Sequence, residues 1–417
     1  MAVQHLALAR NPLRIRGAHL GLLAAAGLLA VWSALALSLV EKRGLFGVLG
    51  FDYGVFWAAA RALASGHPTA AYDLDALARY VQPLTAYTPA TVAGAPLVLP
   101  APYPPLFFLL LSPLTTLDPV AGFVLWTLLN LVPAVYVLHQ LARRFGRGAG
   151  AMTAILSVFF FPLVQTLLLG QLTGLILFGF YQTYRGLERG QDLRAGVWIG
   201  VLLLKPQYAL VLVLVLLLKR RWSALLGIAS VGALCAVSAV ALLGLDGLAT
   251  YLASMRSVSG FRLVSAGVHP EYMISWRGLL VNLLPDGVSE AQGVALTLVL
   301  SVASLCMLPL LWRGRWNPHD GRFAARMLAT MVITMLVSFH NHAYGAILLV
   351  VPGMALAAGP DSPRLTRLLL WVGAFVPSVL FLATGSLVIV GLFGLALMLL
   401  TLADLCVTGQ VLAFGRE

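Results

Sequence analysis

Charge is what this sequence has least of. Only 10% of its 417 residues are Asp, Glu, Lys or Arg, where a soluble domain carries about 25%. With a mean hydropathy of +0.93, that scarcity excludes an ordinary water-soluble domain. Apolar runs of ~20 residues recur along the whole chain, each long enough to cross the hydrocarbon core as a helix. The runs lack period-two alternation, which excludes a closed β-barrel. Cysteine is nearly missing. Cys235, Cys306 and Cys406 each lie inside an apolar run, where they suit packing rather than a disulfide framework or a metal site. No sequence repeat relates the two halves, which counts against an inverted-repeat transporter. No small-residue cleavage site follows the first run, which ends in Glu41-Lys42-Arg43. Behind Arg10, Arg14 and Arg16 it reads as a retained signal anchor.

What charge there is has a pattern. The net charge of +12 comes mainly from Arg10/Arg14/Arg16, Arg143/Arg144/Arg147, Arg185/Arg189/Arg194, Lys219/Arg220/Arg221, Arg313/Arg315/Arg322/Arg326 and Arg364/Arg367. Basic clusters between apolar runs mark cytoplasmic loops. Placing all of them inside predicts an all-α polytopic bundle of about 12 crossings with both termini cytoplasmic. The basicity is then a topology signal, and no nucleic-acid partner is implied. The whole of 1–417 reads as one integral membrane domain. It has a long first external loop at 42–118, carrying amphipathic interface helices, and a second external loop at 245–290. The predicted crossings include 18–40, 119–141, 149–169, 223–244, 291–312, 323–339, 345–359, 368–384 and 386–403. The segment YPPLFFLLLSPLTTL, Tyr103 to Leu117, is short and proline-broken and reads as re-entrant or interfacial. The runs 195–205 and 207–218 reach only ~17 Å each, so Lys205-Pro206-Gln207 is expected inside the membrane profile. Broken helices of that kind are tolerated where they line a cavity.

Polar groups gather at the external ends of these runs. Asp52 opens FDYGVFWAAARAL, a short helix with Phe51, Val55, Ala58 and Ala62 on one side and Arg61 elsewhere. Position alone allows two roles for Asp52, a helix cap or a base at the bilayer edge. Lys205, between two apolar half-helices, is costly unless paired. With Gln207 beside it, it suits a phosphate arriving from the lipid; the alternative is a lysine snorkelling to the interface. His340 and His342 stand in H-x-H spacing with no third ligand of matching spacing, so phosphate or sugar contacts or plain helix-end polarity are expected, not a metal. Tyr103, Gln171, Trp57, Ser275 and Arg277 complete the candidates for substrate contact.

Four stretches together resemble glycosyltransferase family 87, polyprenol-phosphate-dependent membrane enzymes of the GT-C fold that include bacterial α-mannosyltransferase-like proteins. They are FDYGVFWAAARALASGHPTAAYD, YPPLFFLLLSPLTTLDP, the Gly-Gln and Lys-Pro-Gln helices from LLLGQLTGL to LLLKPQYALVLVL, and SWRGLLVNLL. Two departures stand out. Met273 and Ile274 precede Ser275 where the family usually carries Asn or Gln, and His-Asn-His-Ala-Tyr replaces an aspartate-containing pair. The resemblance implies a sugar, with mannose the family expectation, carried on a polyprenyl phosphate in a bacterial inner membrane. It also implies a glycan or glycolipid acceptor at the external face, no cofactor, and Asp52 as the catalytic base. Lys205, with Arg61, His340 and His342 next, would then meet the donor phosphate. The rival classes are a lipid-linked sugar flippase or transporter, and a ligase that moves a whole glycan.

Overall fold

The computed structural model describes Gly27 and residues 30–38, 40–42, 44–87, 99, 101–257, 260–262, 268–359 and 362–411. The described residues are helical, with no strand; an isolated antiparallel bridge joins Met273 and His342. Five helices are long and apolar enough to cross a membrane: Pro119–Phe145, Trp222–Ser257, Glu290–Leu311, Arg364–Thr384 and Leu387–Val407. Shorter apolar helices cover Pro105–Thr116, Pro206–Leu218, Phe323–Val337 and Ala343–Ala357. The chain is therefore a helical membrane protein. The predicted 18–40 crossing and the Arg10/Arg14/Arg16 cluster fall largely or wholly outside the described residues.

The first loop is helical and packed rather than draped on the surface. Helix α1 (Phe51–Ala64) is followed by α2 (Leu74–Val81) and α3 (Pro105–Leu111). Asp73 caps α2, accepting from the backbone N–H groups of Asp75 and Ala76 at 3.0 Å. The amphipathic surface helix expected at Asp52 is corrected here. Residues Tyr53 to Ala60 and Ala62 are all buried. The cause is an aromatic cluster that covers the face meant for solvent. Phe56 meets Tyr103 at 5.0 Å and Phe107 at 5.3 Å, and Tyr53 and Phe107 both meet Trp126. In the YPP segment α3 runs straight into a 3₁₀ turn at Ser112–Thr116, as its prolines dictate.

Helix α4 (Pro119–Phe159) is capped by Asp118 and runs through the predicted basic turn at Arg143–Arg147 as one helical element. Helix α5 (Phe161–Leu169) follows, and just beyond it the carbonyl of Gly170 accepts from Trp126 Nε1 at 2.7 Å. Arg144 pairs with Glu188 at the far end of α6 (Thr173–Glu188).

The broken helix appears where the sequence put it. Helix α7 (Asp192–Leu202) stops, Lys205 sits at the break, a 3₁₀ turn covers Pro206–Tyr208, and α8 (Leu210–Leu218) leads away. Helix α9 (Trp222–Ser257) lies closely along α7 because each turns a glycine toward the other. A Cβ on Gly196 would stand 1.9 Å from the Ala224 carbonyl oxygen, and one on Gly227 2.4 Å from that of Leu193. Between membrane helices, close backbone approach of this kind replaces the hydrophobic drive that lipid cannot supply. Helix α9 breaks at Gly244 (φ 66°) and continues to Ser257, so the predicted loop at 245–290 begins as helix. The remaining elements are α10 (Trp276–Leu283), α11 (Glu290–Leu305), α12 (Phe323–Val337), α13 (Val350–Ala357), α14 (Arg364–Thr384) and α15 (Leu387–Val407).

Candidate active site

Asp52 occupies the first turn of α1, whose N-cap is Gly50. Its carboxylate does not cap the helix. It accepts instead from Gln171 Nε2 at 2.7 Å. Gly170 makes this meeting possible. It holds a left-handed backbone, φ 72°, after α5, and a Cβ there would stand 2.6 Å from Tyr53 Cβ. Only glycine lets the α5 end approach α1 so closely. The approach is pinned by Gly50 N–H donating to the Leu168 carbonyl at 2.6 Å.

Gln171 faces two ways. Its Oε1 accepts from Lys205 Nζ at 2.6 Å, so a continuous line runs from Asp52 through Gln171 to Lys205. Lys205 is only 4% exposed, and the snorkelling alternative does not hold. Besides Gln171, its ammonium lies 4.3 Å from the Tyr344 ring centroid and 5.9 Å from that of Tyr103, both favourable faces for a cation. The 206–208 turn is docked on the segment after α12. Gln207 Nε2 donates to the His340 carbonyl at 3.2 Å, and Tyr208 OH to Asn341 Oδ1 at 3.2 Å.

This line of three side chains opens on a cavity of about 420 Å³. Its wall also carries Tyr103, Gln207, His340, His342 and Tyr344. Burial pushes the Asp52 carboxyl up to about 6, opposed by the Gln171 hydrogen bond and the Lys205 charge. A carboxylate with that value is ionised at pH 7 yet a stronger base than a solvated one. The His340 and His342 rings meet edge-on at 5.1 Å. Burial, with the neighbouring cations, pushes both below the usual range, His340 to about 3. Both are neutral at pH 7. Lys205 is then the only Lys or Arg among the described residues of the wall. No group of three or more His, Cys, Asp or Glu among the described residues is placed to hold a metal ion.

Four expected site residues lie elsewhere. Arg61 is exposed and covers the Trp57 ring at 5.0 Å. Trp57 itself is fully buried in the core. Neither reaches the cavity. Ser275 caps α10, accepting from Gly278 N–H at 3.4 Å. Arg277 is fully buried and donates to the carbonyls of Phe261 at 3.0 Å, of Phe339 at 3.2 Å and of Gly260. It latches the second loop to the end of α12 rather than touching substrate. We expect Arg277→Ala to leave those carbonyls unpaired and to cost about 3 kcal/mol or more, read as a clear fall in apparent Tm in detergent. Arg277→Lys is expected to recover only part of it, because an ammonium cannot reproduce the guanidinium fork.

The sequence did not single out Gln165. It lines the cavity from α5, and its Oε1 is buried without a partner. Its only signal was a polar residue inside an apolar run. His269 and Tyr272 also line the wall, stacked at 4.7 Å, with His269 Nδ1 2.9 Å from Glu271.

The sequence profile of glycosyltransferase family 87 matches residues 102–338, more than half of the chain. The chain belongs to glycosyltransferase family 87. It is accordingly a membrane glycosyltransferase. No curated protein matches it. Within the family span lie Tyr103, Gln171, Lys205 and Gln207; Asp52 precedes it, and His340 and His342 follow it. The cavity is therefore where the family region and its two flanks converge, as expected of a site built by the whole chain.

Proposed function

We propose that this family 87 enzyme moves a hexose, mannose in the first instance, from a polyprenyl phosphate to a lipid-linked or cell-envelope glycan. The reaction takes place at the external face of a bacterial inner membrane. The chain crosses that membrane about 12 times as one domain, with both termini in the cytoplasm. The acceptor hydroxyl attacks the anomeric carbon, the carbon–oxygen bond to phosphate breaks, and the configuration inverts. Asp52 takes the hydroxyl proton, a role worth about 10²–10⁴ in rate. The leaving phosphate carries off the electron pair, and Lys205 stabilises its developing charge. The neutral imidazoles of His340 and His342 donate hydrogen bonds to phosphate or sugar oxygens. Tyr103 and Gln207 contact the sugar.

The observation that carries this reading is one half-buried carboxylate and one buried lysine opening on the same cavity. A donor and an acceptor meeting there would find a proton acceptor and a phosphate partner side by side. The test is transfer of labelled mannose by full-length protein in nanodiscs. Label is expected to pass from a synthetic polyprenyl-phosphate mannose to a glycolipid extract with inverted linkage, and tags at residues 318 and 285 are expected to report cytoplasm and exterior respectively. Transfer from a nucleotide sugar but not from the lipid donor, or the opposite tag pattern, overturns it.

A further inference from the structure

Gln171 separates two charges that would otherwise meet. A carboxylate and an ammonium attract more strongly the closer they come, and most strongly where water is scarce. Lys205 ends a flexible four-carbon stem and lies one amide away from Asp52. That amide is oriented by both neighbours. Nε2–H points at Asp52 and Oε1 at Lys205. The reverse orientation would set oxygen against carboxylate and N–H against ammonium, so the two charges themselves select it. The backbone beneath it is equally fixed. Gln171 N–H donates to the Thr166 carbonyl at 2.9 Å, and the preceding carbonyl takes Trp126 Nε1 at 2.7 Å. Gln171 is only 4% exposed and has both amide atoms engaged, so its first duty is not to substrate.

We propose that Gln171 is a positioning residue: it holds the Asp52 carboxylate and the Lys205 ammonium as separated charges, so that each keeps a face toward the cavity. The inference rests on the reading of Asp52 as the base. A direct ion pair would spoil both partners. A carboxylate within ~4–6 Å of a cation loses about 1–3 pH units of basicity and becomes a poorer proton acceptor. The ammonium, neutralised by its partner, would offer less to a phosphate. With the amide between them, Asp52 keeps Oδ1 for an acceptor proton. The other groups facing this line are Tyr103 from the segment before α3, Tyr344 from the turn after α12, and His340, His342 and His269 on the cavity wall. None of them lies between the two charges in this line of hydrogen bonds.

The experiment measures kcat/KM against pH for full-length enzyme in nanodiscs with a synthetic polyprenyl-phosphate mannose. It compares wild type, Gln171→Leu, Gln171→Ala and Asp52→Asn. Leucine fills the space but offers no N–H to the carboxylate, so the acid limb should move up by about one pH unit and much of the loss at pH 7 should return at higher pH. Alanine opens a gap that the lysine stem can cross. The direct pair then forms, the acid limb moves down by a similar amount, and the rate at pH 7 falls at least tenfold. A residue that merely packs would lower the rate uniformly with the limb unmoved, and that outcome in either folded variant overturns the proposal. Asp52→Asn separates the two failures. If it is inactive while the Gln171 limbs stay put, only the spacer role is lost. If it remains active, the base assignment is lost and the spacer role with it.

Discussion

Asp52→Asn should bind the lipid-linked donor as the wild type does and transfer its sugar at least ~10²-fold more slowly. The substitution keeps the shape of the side chain and removes its power to accept a proton. The new Asn Oδ1 can still accept from Gln171 Nε2 while Gln171 Oε1 keeps Lys205, so the site should stay assembled. Folding should change little, because the Asp52 carboxylate caps nothing; the N-cap is Gly50. The pH profile gives a second reading of the same residue. Wild-type kcat/KM should rise with pH through about 6, where the buried Asp52 carboxyl ionises, because only the ionised form takes a proton. In Asp52→Asn that limb should vanish. An enzyme that retains more than about a tenth of wild-type turnover, or keeps the limb, removes Asp52 from the chemistry.

The second large effect belongs to Lys205. Lys205→Met keeps the stem and deletes the charge. A hydrogen bond from a charged donor is worth about 1.5–3 kcal/mol, so the apparent donor KM should rise about 10–100-fold, with a matching fall in kcat where the leaving phosphate develops charge. Stability should fall, since removing one partner of the line leaves Gln171 Oε1 without its donor and the Asp52 carboxylate without its counter-charge. Lys205→Arg should rescue only in part, because a planar fork does not replace a compact ammonium. The measurement is donor-dependent initial rates alongside thermal melts. Unchanged donor kinetics in Lys205→Met would assign the cation a purely structural role.

What the sequence determined by itself is the class of the protein and the helix break at Lys205-Pro206-Gln207. Hydropathy runs and basic clusters are one-dimensional signals, because a membrane constrains length and charge along the chain. The break at Lys205-Pro206-Gln207 was legible for that reason: half-helices are too short to cross, whatever they pack against. Asp52 and Lys205 stood out because ionisable groups next to apolar runs are costly wherever the fold puts them. The roles of Arg61, Trp57, Ser275 and Arg277 were decided only in three dimensions. A loop arginine reads as solvated until three backbone carbonyls surround it, and nothing local to Arg277 reports the carbonyl of Phe339. The α1 helix looked amphipathic because Arg61 and Asp52 break its apolar pattern, yet the aromatic cluster of Phe56, Tyr103, Phe107 and Trp126 covers it. Most of all, only tertiary structure sets Gln171 between Asp52 and Lys205, residues far apart along the chain. Their meeting depends on a glycine at 170 small enough to let two helix ends touch, a contact that composition and spacing do not encode.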